Sequence, residues 1–216
     1  MSNPIKIIEC PRDAMQGMHD FVPTQRKIDY INSLLEVGFD TIDFGSFVSP
    51  KAIPQMKDTA EVLNGLKLTE TSSKLLAIVA NERGAADACQ FQEINFLGYP
   101  FSISETFQQR NTNASIEQSL GRVEAVSNAA VKNGKELVVY LSMGFGNPYG
   151  DPYDPDVCAE WTEKLHKQFG VNIVVPSDTI GSASPELISS LFNTLLQEFG
   201  AVEFGAHIHT TKETAI

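Results

Sequence analysis

Apolar residues fall along this chain in two alternating patterns, short continuous runs and stretches where they recur every three or four positions. The first pattern predicts strands and the second amphipathic helices. Residues 5–9 (Ile-Lys-Ile-Ile-Glu) predict strand one, followed by a polar turn over 11–16. Thr24 is expected to cap a helix carrying Ile28, Ile31, Leu34 and Leu35, which Gly38 stops. Strand two is expected over 40–44, then a loop over 45–51 and a helix from Met56 to Leu63 that closes at Gly65. The unbroken apolar run 75–80 predicts a buried strand three, and a short helix through Cys89 leads to strand four at 93–97. Ser115 heads a helix bearing Ile116, Leu120, Val123 and Val126, with Gly134 beyond its end. Strand five is expected over 137–141, with a Gly/Pro/Tyr-rich loop over 143–153. Asp154-Pro155 opens a helix through Val157, Trp161, Leu165 and Phe169 to Gly170. Strand six follows at 171–175. Ser184-Pro185-Glu186 opens a helix through Leu187, Ile188, Leu191, Phe192 and Leu195, and 201–209 is strand seven.

Seven strands alternating with six helices predict a parallel α/β sheet, because parallel neighbours need a crossover. No Gly-x-Gly-x-x-Gly follows strand one, so a doubly wound dinucleotide fold lacks its fingerprint. A (β/α)8 TIM barrel fits better, since polar residues end strands one, two, six and seven, at the catalytic face of that fold. The chain stops at Ile216, before an eighth strand. The expectation is therefore a single barrel domain over 1–216, truncated after strand seven.

Composition narrows the partners. Lys+Arg of 16 against Asp+Glu of 27 gives a net charge of -11, which argues against nucleic acid or an anionic membrane surface. A small anionic substrate stays open, because a local pocket can oppose the net sign. Three scattered cysteines, Cys10, Cys89 and Cys158, suit a reducing compartment and no disulfide framework. With no apolar leader at residues 1–6 and no apolar run long enough to span a bilayer, the expectation is a soluble, cytoplasmic protein.

The chemistry concentrates in strand seven, where alternation puts Val202, Phe204, Ala206 and Ile208 on one face and Gly205, His207 and His209 on the other. Two imidazoles at i and i+2 can grip one metal ion; equally, each can be satisfied by ordinary hydrogen bonds. Barrel geometry would bring Arg12-Asp13, after strand one, to the same mouth. Asp13, His207 and His209 would then form a mixed oxygen/nitrogen set suited to Mg²⁺ or Mn²⁺, with Zn²⁺ or Co²⁺ as alternatives. Arg12 would aim a permanent cation at an enolate or carboxylate oxygen, and Asp43 and Asp178 add carboxylates at strands two and six. His19 and His166 are expected to face solvent, and Cys89 and Cys158 to fill the core. Cys10 lies nearer the mouth, and Lys51 is either a solvated loop lysine or a contact for a substrate phosphate.

The runs 9–16 (Glu-Cys-Pro-Arg-Asp-Ala-Met-Gln), 46–51 (Ser-Phe-Val-Ser-Pro-Lys), Pro54-Gln55-Met56, 113–117 (Asn-Ala-Ser-Ile-Glu), Asn147-Pro148-Tyr149, 178–181 (Asp-Thr-Ile-Gly) and His207-Ile208-His209 occur in this order. In that order the sequence resembles the hydroxymethylglutaryl-CoA lyases, over essentially its whole length. Arg-Asp and His-x-His mark the wider superfamily of metal-dependent lyase and synthase barrels, and the Ser-Phe-Val-Ser-Pro-Lys run with Pro54-Gln55-Met56 the lyase branch.

The resemblance implies cleavage of hydroxymethylglutaryl-CoA to acetyl-CoA and acetoacetate, and an acyl-CoA substrate in a possible homodimer. Asp13, His207 and His209 would be metal ligands and Arg12, Asp13 and His207 the catalytic groups, with Gln16, Asp43, Asp178 and Thr179 at the substrate. A related condensation or aldol cleavage, or a lyase-like barrel without activity that serves as a binding protein, are the alternatives. The chain departs from the family pattern at Ala14, Asp43, Asn147, Ser177, Thr210, Lys212 and Glu213. The family's glycine-rich cysteine loop and an asparagine ligand would lie beyond Ile216.

Overall fold

The structure, a computed structural model, describes residues 4–210, so Lys212 and Glu213 lie outside the described residues. The described residues hold seven strands and eight helices. The strands are β1 (Ile8–Glu9), β2 (Thr41–Ser46), β3 (Lys74–Ile78), β4 (Ile94–Ser102), β5 (Glu136–Ser142), β6 (Ile173–Ser177) and β7 (Glu203–Phe204). They are ordered as they occur in the chain, and the recorded pairings are parallel. That order is the one expected of a (β/α)8 barrel. All six residues of β2 and the last four of β3 are buried, as strands covered on both faces should be.

The helices are α1 (Pro11–Gln16), α2 (Thr24–Leu35), α3 (Thr59–Asn64), α4 (Glu82–Ala88), α5 (Glu105–Thr112), α6 (Ile116–Lys132), α7 (Pro155–Phe169) and α8 (Pro185–Glu198). Local chemistry explains most boundaries. Asp154 accepts from Val157 N–H at 2.9 Å, Pro155 is the first helical residue, and Gly170 closes α7 at φ 66°. Ser184 caps α8 through Leu187 N–H at 3.2 Å. At α6, Ser115 Oγ accepts from Gln118 N–H while Gln118 Oε1 accepts from Ser115 N–H, a reciprocal capping box. No described helix is long and apolar enough to cross a membrane.

Several expectations are corrected. Residues 11–16 form a helix rather than a turn, since Pro11 supplies a preset φ at its start. Thr24 is inside α2 instead of capping it, and its hydroxyl donates to Asp58 Oδ2 at 2.8 Å. Helix α5 had no apolar period to announce it, because the face it buries is polar. Its Gln108, 1% exposed, accepts from Ser102 N–H and donates to Ser119 Oγ and Thr112 Oγ1. Strand one is shorter than expected and leaves Ile5 93% exposed. Strand β7 has only two ladder residues, although His207 N–H still donates to Pro176 O at 3.1 Å and Ser177 bridges His207. On its apolar face Val202 is buried, whereas Ala206 and Ile208 are exposed. His166 is half-buried rather than solvent-facing, with Nδ1 2.9 Å from Val171 O.

By contacts the chain divides into two compact units, Met1–Gly98 with Ala129–Glu136, and Tyr99–Asn128 with Leu137–Ile216. In the first, Lys27 is 2% exposed and its ammonium donates to Asp58 Oδ1 at 2.6 Å and to Gln55 O. Lys27→Met is expected to destabilise the protein by about 3 kcal/mol, because it leaves a buried carboxylate without its cation. Urea melts check this. Adding Asp58→Asn should recover much of the loss, and no recovery would show that packing rather than charge sets the cost.

Candidate active site

In the first unit, α1 follows directly on β1 and carries Arg12 and Asp13 out beyond the strand. Arg12 is buried, 8% exposed, and its guanidinium is gripped on two sides. Nε donates to both oxygens of Asp43, at 3.2 and 3.1 Å, and Nη2 to Asp43 Oδ2 at 2.5 Å. Nη1 donates to Asp13 Oδ1 and to Gln16 Oε1, each at 2.9 Å. Asp43 sits in the middle of β2 and is 1% exposed. Both its carboxylate oxygens accept from the guanidinium, whose planar fork they match. Asp13 keeps 35% of its side chain exposed, so it is reachable where Asp43 is not.

Cys10 precedes α1. Burial, and then the Asp43 carboxylate, push its thiol up to about 12. Cys158 in the second unit is likewise pushed up to about 12, by burial and then Asp154. Both native values stand above the ordinary 9.0, so the stability these thiols contribute is intact below pH 9 and is lost as pH rises toward 12. Urea midpoints are therefore expected to fall between pH 9 and 11. Iodoacetamide at pH 8 should leave buried Cys158 unmodified and half-buried Cys10 slow to react in the folded protein, and rapid labelling of Cys10 would contradict its neutral state. Cys89 and Cys158 are buried, as expected of core residues.

In the second unit, His207 and His209 stand side by side, beyond the two ladder residues of β7 and next to the bridge from His207 to Ser177. Their rings are 4.9 Å apart, with the two Nε2 atoms at 2.9 Å. Two nitrogens bound about 2.1 Å from one ion, at right angles, are about 3 Å apart. The spacing of the pair matches that of two ligands on one cation, although here the two nitrogens share a hydrogen bond, whose proton a cation would replace. Tyr140 of β5 meets the His207 ring edge-on at 6.1 Å. Asp178, 1% exposed, ends β6; its N–H donates to His207 O at 2.8 Å, and its Oδ1 accepts from Ser182 N–H at 2.7 Å.

Thr179 has a task that the sequence did not disclose. Its Oγ1 accepts from Met143 N–H at 2.8 Å. Met143 stands at φ 63°, in the left-handed region that side chains avoid, so this bond helps hold a strained turn at the end of β5. Gly144 follows with no room for a side chain, as a Cβ there would lie 2.8 Å from Leu141 O. The loop beyond is closed by Asn147, which accepts from Tyr149 and Asp151 N–H, and by Asp151, which accepts from Ser104 Oγ, Thr106 N–H and Thr106 Oγ1.

Residues 5–216 match the HMGL-like family. The mitochondrial hydroxymethylglutaryl-CoA lyase of Bos taurus is 35% identical over 214 residues, which cover 98% of this chain and 65% of that protein. The crystal structure of the Bacillus subtilis HMG-CoA lyase superposes with a TM-score of 0.88 at 33% identity, over 97% of this chain and 70% of that one. An Acinetobacter baumannii HMG-CoA lyase in complex with coenzyme A and 3-methylmalate gives a TM-score of 0.86 at 28% identity, over 96% and 67%. The chain spans about two thirds of the length of the curated relatives it matches. It belongs to the HMGL-like family and has the α/β fold of the hydroxymethylglutaryl-CoA lyase barrels.

Proposed function

We propose that this chain is a divalent-metal-dependent carbon-carbon lyase that cleaves 3-hydroxy-3-methylglutaryl-CoA to acetyl-CoA and acetoacetate. The observation that carries this reading is the imidazole pair, two Nε2 atoms 2.9 Å apart, in a chain of the HMGL-like family. Asp13, His207 and His209 are the proposed ligands, one carboxylate and two imidazoles. The oxygen in that set favours Mg²⁺ or Mn²⁺ over Zn²⁺ or Co²⁺. When bound, the ion supplies a Lewis acid for the substrate's tertiary hydroxyl.

The rest of the chemistry falls to the chain's own side chains. Cleavage removes the hydroxyl proton, turns that carbon into the ketone of acetoacetate and leaves an electron pair on the acetyl thioester, which is then protonated. Asp13 or His207 takes the hydroxyl proton. Negative charge gathers on the thioester oxygen, where Arg12 offers a cation already locked in place, so that little reorganisation is needed as the charge forms. Asp43 and Gln16 act through Arg12 by holding it. Asp178 and Thr179 complete the substrate side, with Thr179 acting through the Met143 turn. The expected setting is a cytoplasmic homodimer, whose assembly light scattering would read.

Purified protein given Mn²⁺ and hydroxymethylglutaryl-CoA is expected to release acetoacetate, measured by coupled NADH oxidation. Folded, metal-loaded protein that releases none would overturn the reading, and a panel of other acyl-CoA and hydroxy-acid substrates would then test the sister reactions.

A further inference from the structure

Between α1 and α2 runs a segment, residues 17–23, that has no regular secondary structure. Its side chains face outward: His19 and Asp20 are fully exposed, Met18 52% and Phe21 41%. Its backbone is bonded inward, to one side chain. Gln55, on a 3-10 turn at Pro54–Met56, is only 4% exposed. Its Oε1 accepts from Val22 N–H at 2.8 Å, and its Nε2 donates to Asp20 O at 2.9 Å and Met18 O at 3.4 Å. For a segment without helical or ladder bonds, these three take the place of regular structure. Gln55 is itself anchored, because its own carbonyl accepts from Lys27 Nζ. That ammonium also pairs with Asp58 and lies 4.2 Å from the centroid of the Phe21 ring.

We infer that Gln55 is a positioning residue for the catalytic helix α1. Six residues are too few for α1 to hold itself by internal bonds, so its place is set by the grip of Asp43 on Arg12, by its buried Pro11 and Met15, and by what its ends are tied to. The end that emerges from β1 is fixed by the strand. The other passes through Gly17 into Met18, whose N–H donates to Met15 O and whose carbonyl accepts from Gln55. Releasing that tie loosens the helix that carries Arg12 and Asp13. This inference deepens the lyase reading and rests on it, since a displacement of about 1 Å at reacting groups can cost about 100-fold in rate.

Gln55→Ala removes all three bonds. Gln55→Glu keeps an acceptor for Val22 N–H but offers no donor to Asp20 O or Met18 O. With far-UV circular dichroism unchanged, amide exchange over residues 18–22 is expected to accelerate about tenfold or more in Gln55→Ala. Mn²⁺ affinity, read by titration calorimetry, should fall about tenfold and kcat 10- to 100-fold, roughly the range seen when groups orienting a metal ligand are removed. KM should change much less, and Gln55→Glu should lie between wild type and Gln55→Ala. Faster exchange with unchanged Mn²⁺ affinity and kcat would overturn the inference, leaving Gln55 a stability residue. Unchanged exchange would overturn it by showing no tie. Should Gln55→Ala fail to fold, Gln55→Glu carries the same test, and failure of both to fold also counts against a positioning role. If wild-type protein makes no acetoacetate, the lyase reading fails on its own, while the exchange and Mn²⁺ measurements still judge Gln55.

Discussion

His207→Ala is expected to abolish metal retention and turnover together while leaving the fold in place. The fold survives because the structural bonds of residue 207 are made by its backbone: N–H to Pro176 O, and C=O to Asp178 N–H. Alanine keeps both. What it removes is the imidazole whose Nε2 faces that of His209 at 2.9 Å. The remaining imidazole, exposed beyond the end of β7, would be left with Asp13 alone to hold an ion, too few ligands to retain it through gel filtration. Metal content after gel filtration should therefore drop to background. A Lewis acid contributes several kcal/mol to such a transition state, so kcat should fall about 10³-fold. Unchanged circular dichroism with lost Mn²⁺ is the outcome expected. A variant that keeps both metal and turnover would remove the imidazole pair from the chemistry altogether.

Much of this was legible in the sequence where the signal is local. The α7 boundaries follow from Asp154, Pro155 and Gly170, three residues whose backbone preferences act within one turn. The i, i+2 spacing of the two imidazoles foretold that they meet, although the ladder of β7 ends at Phe204 and only the bridge from His207 to Ser177 extends it. Arg12 and Asp43 each stood out as polar residues near strand ends, but β2 runs on to Ser46 and puts Asp43 in its middle, and the pairing joins positions 31 apart that neither neighbourhood encodes. Helix α5 was hidden because its buried face is made of Gln108 and hydroxyls, which carry no hydrophobic period. Nothing in the pattern of α2 sets Lys27 apart from the other polar residues of that helix. Only the turn at Pro54–Met56, folded across from it with Asp58, turns it into a buried cation. Gln55 stood in a run that marked the lyase branch, but the use of a buried amide is set by which backbone comes to rest against it.

Arg12→Met should damage stability and catalysis by separable routes. Asp43, 1% exposed, would be left as a buried carboxylate without the guanidinium that holds both its oxygens. Breaking a buried pair in this way costs about 3–5 kcal/mol, read as a fall in the urea midpoint. Turnover should fall about 10²- to 10³-fold, because the preorganised donor for the developing enolate oxygen is gone. A second change tells the two losses apart. Arg12→Met combined with Asp43→Leu replaces the ion pair by apolar side chains of similar bulk, an exchange that is often neutral or stabilising in buried sites. The double variant should regain most of the stability and none of the activity. If it regained both, Arg12 would be a structural ion-pair partner and the enolate would need another source of positive charge. If it regained neither, the hydrogen bonds the guanidinium makes within α1, to Asp13 and Gln16, rather than its charge opposite Asp43, would be what sets the stability of that helix.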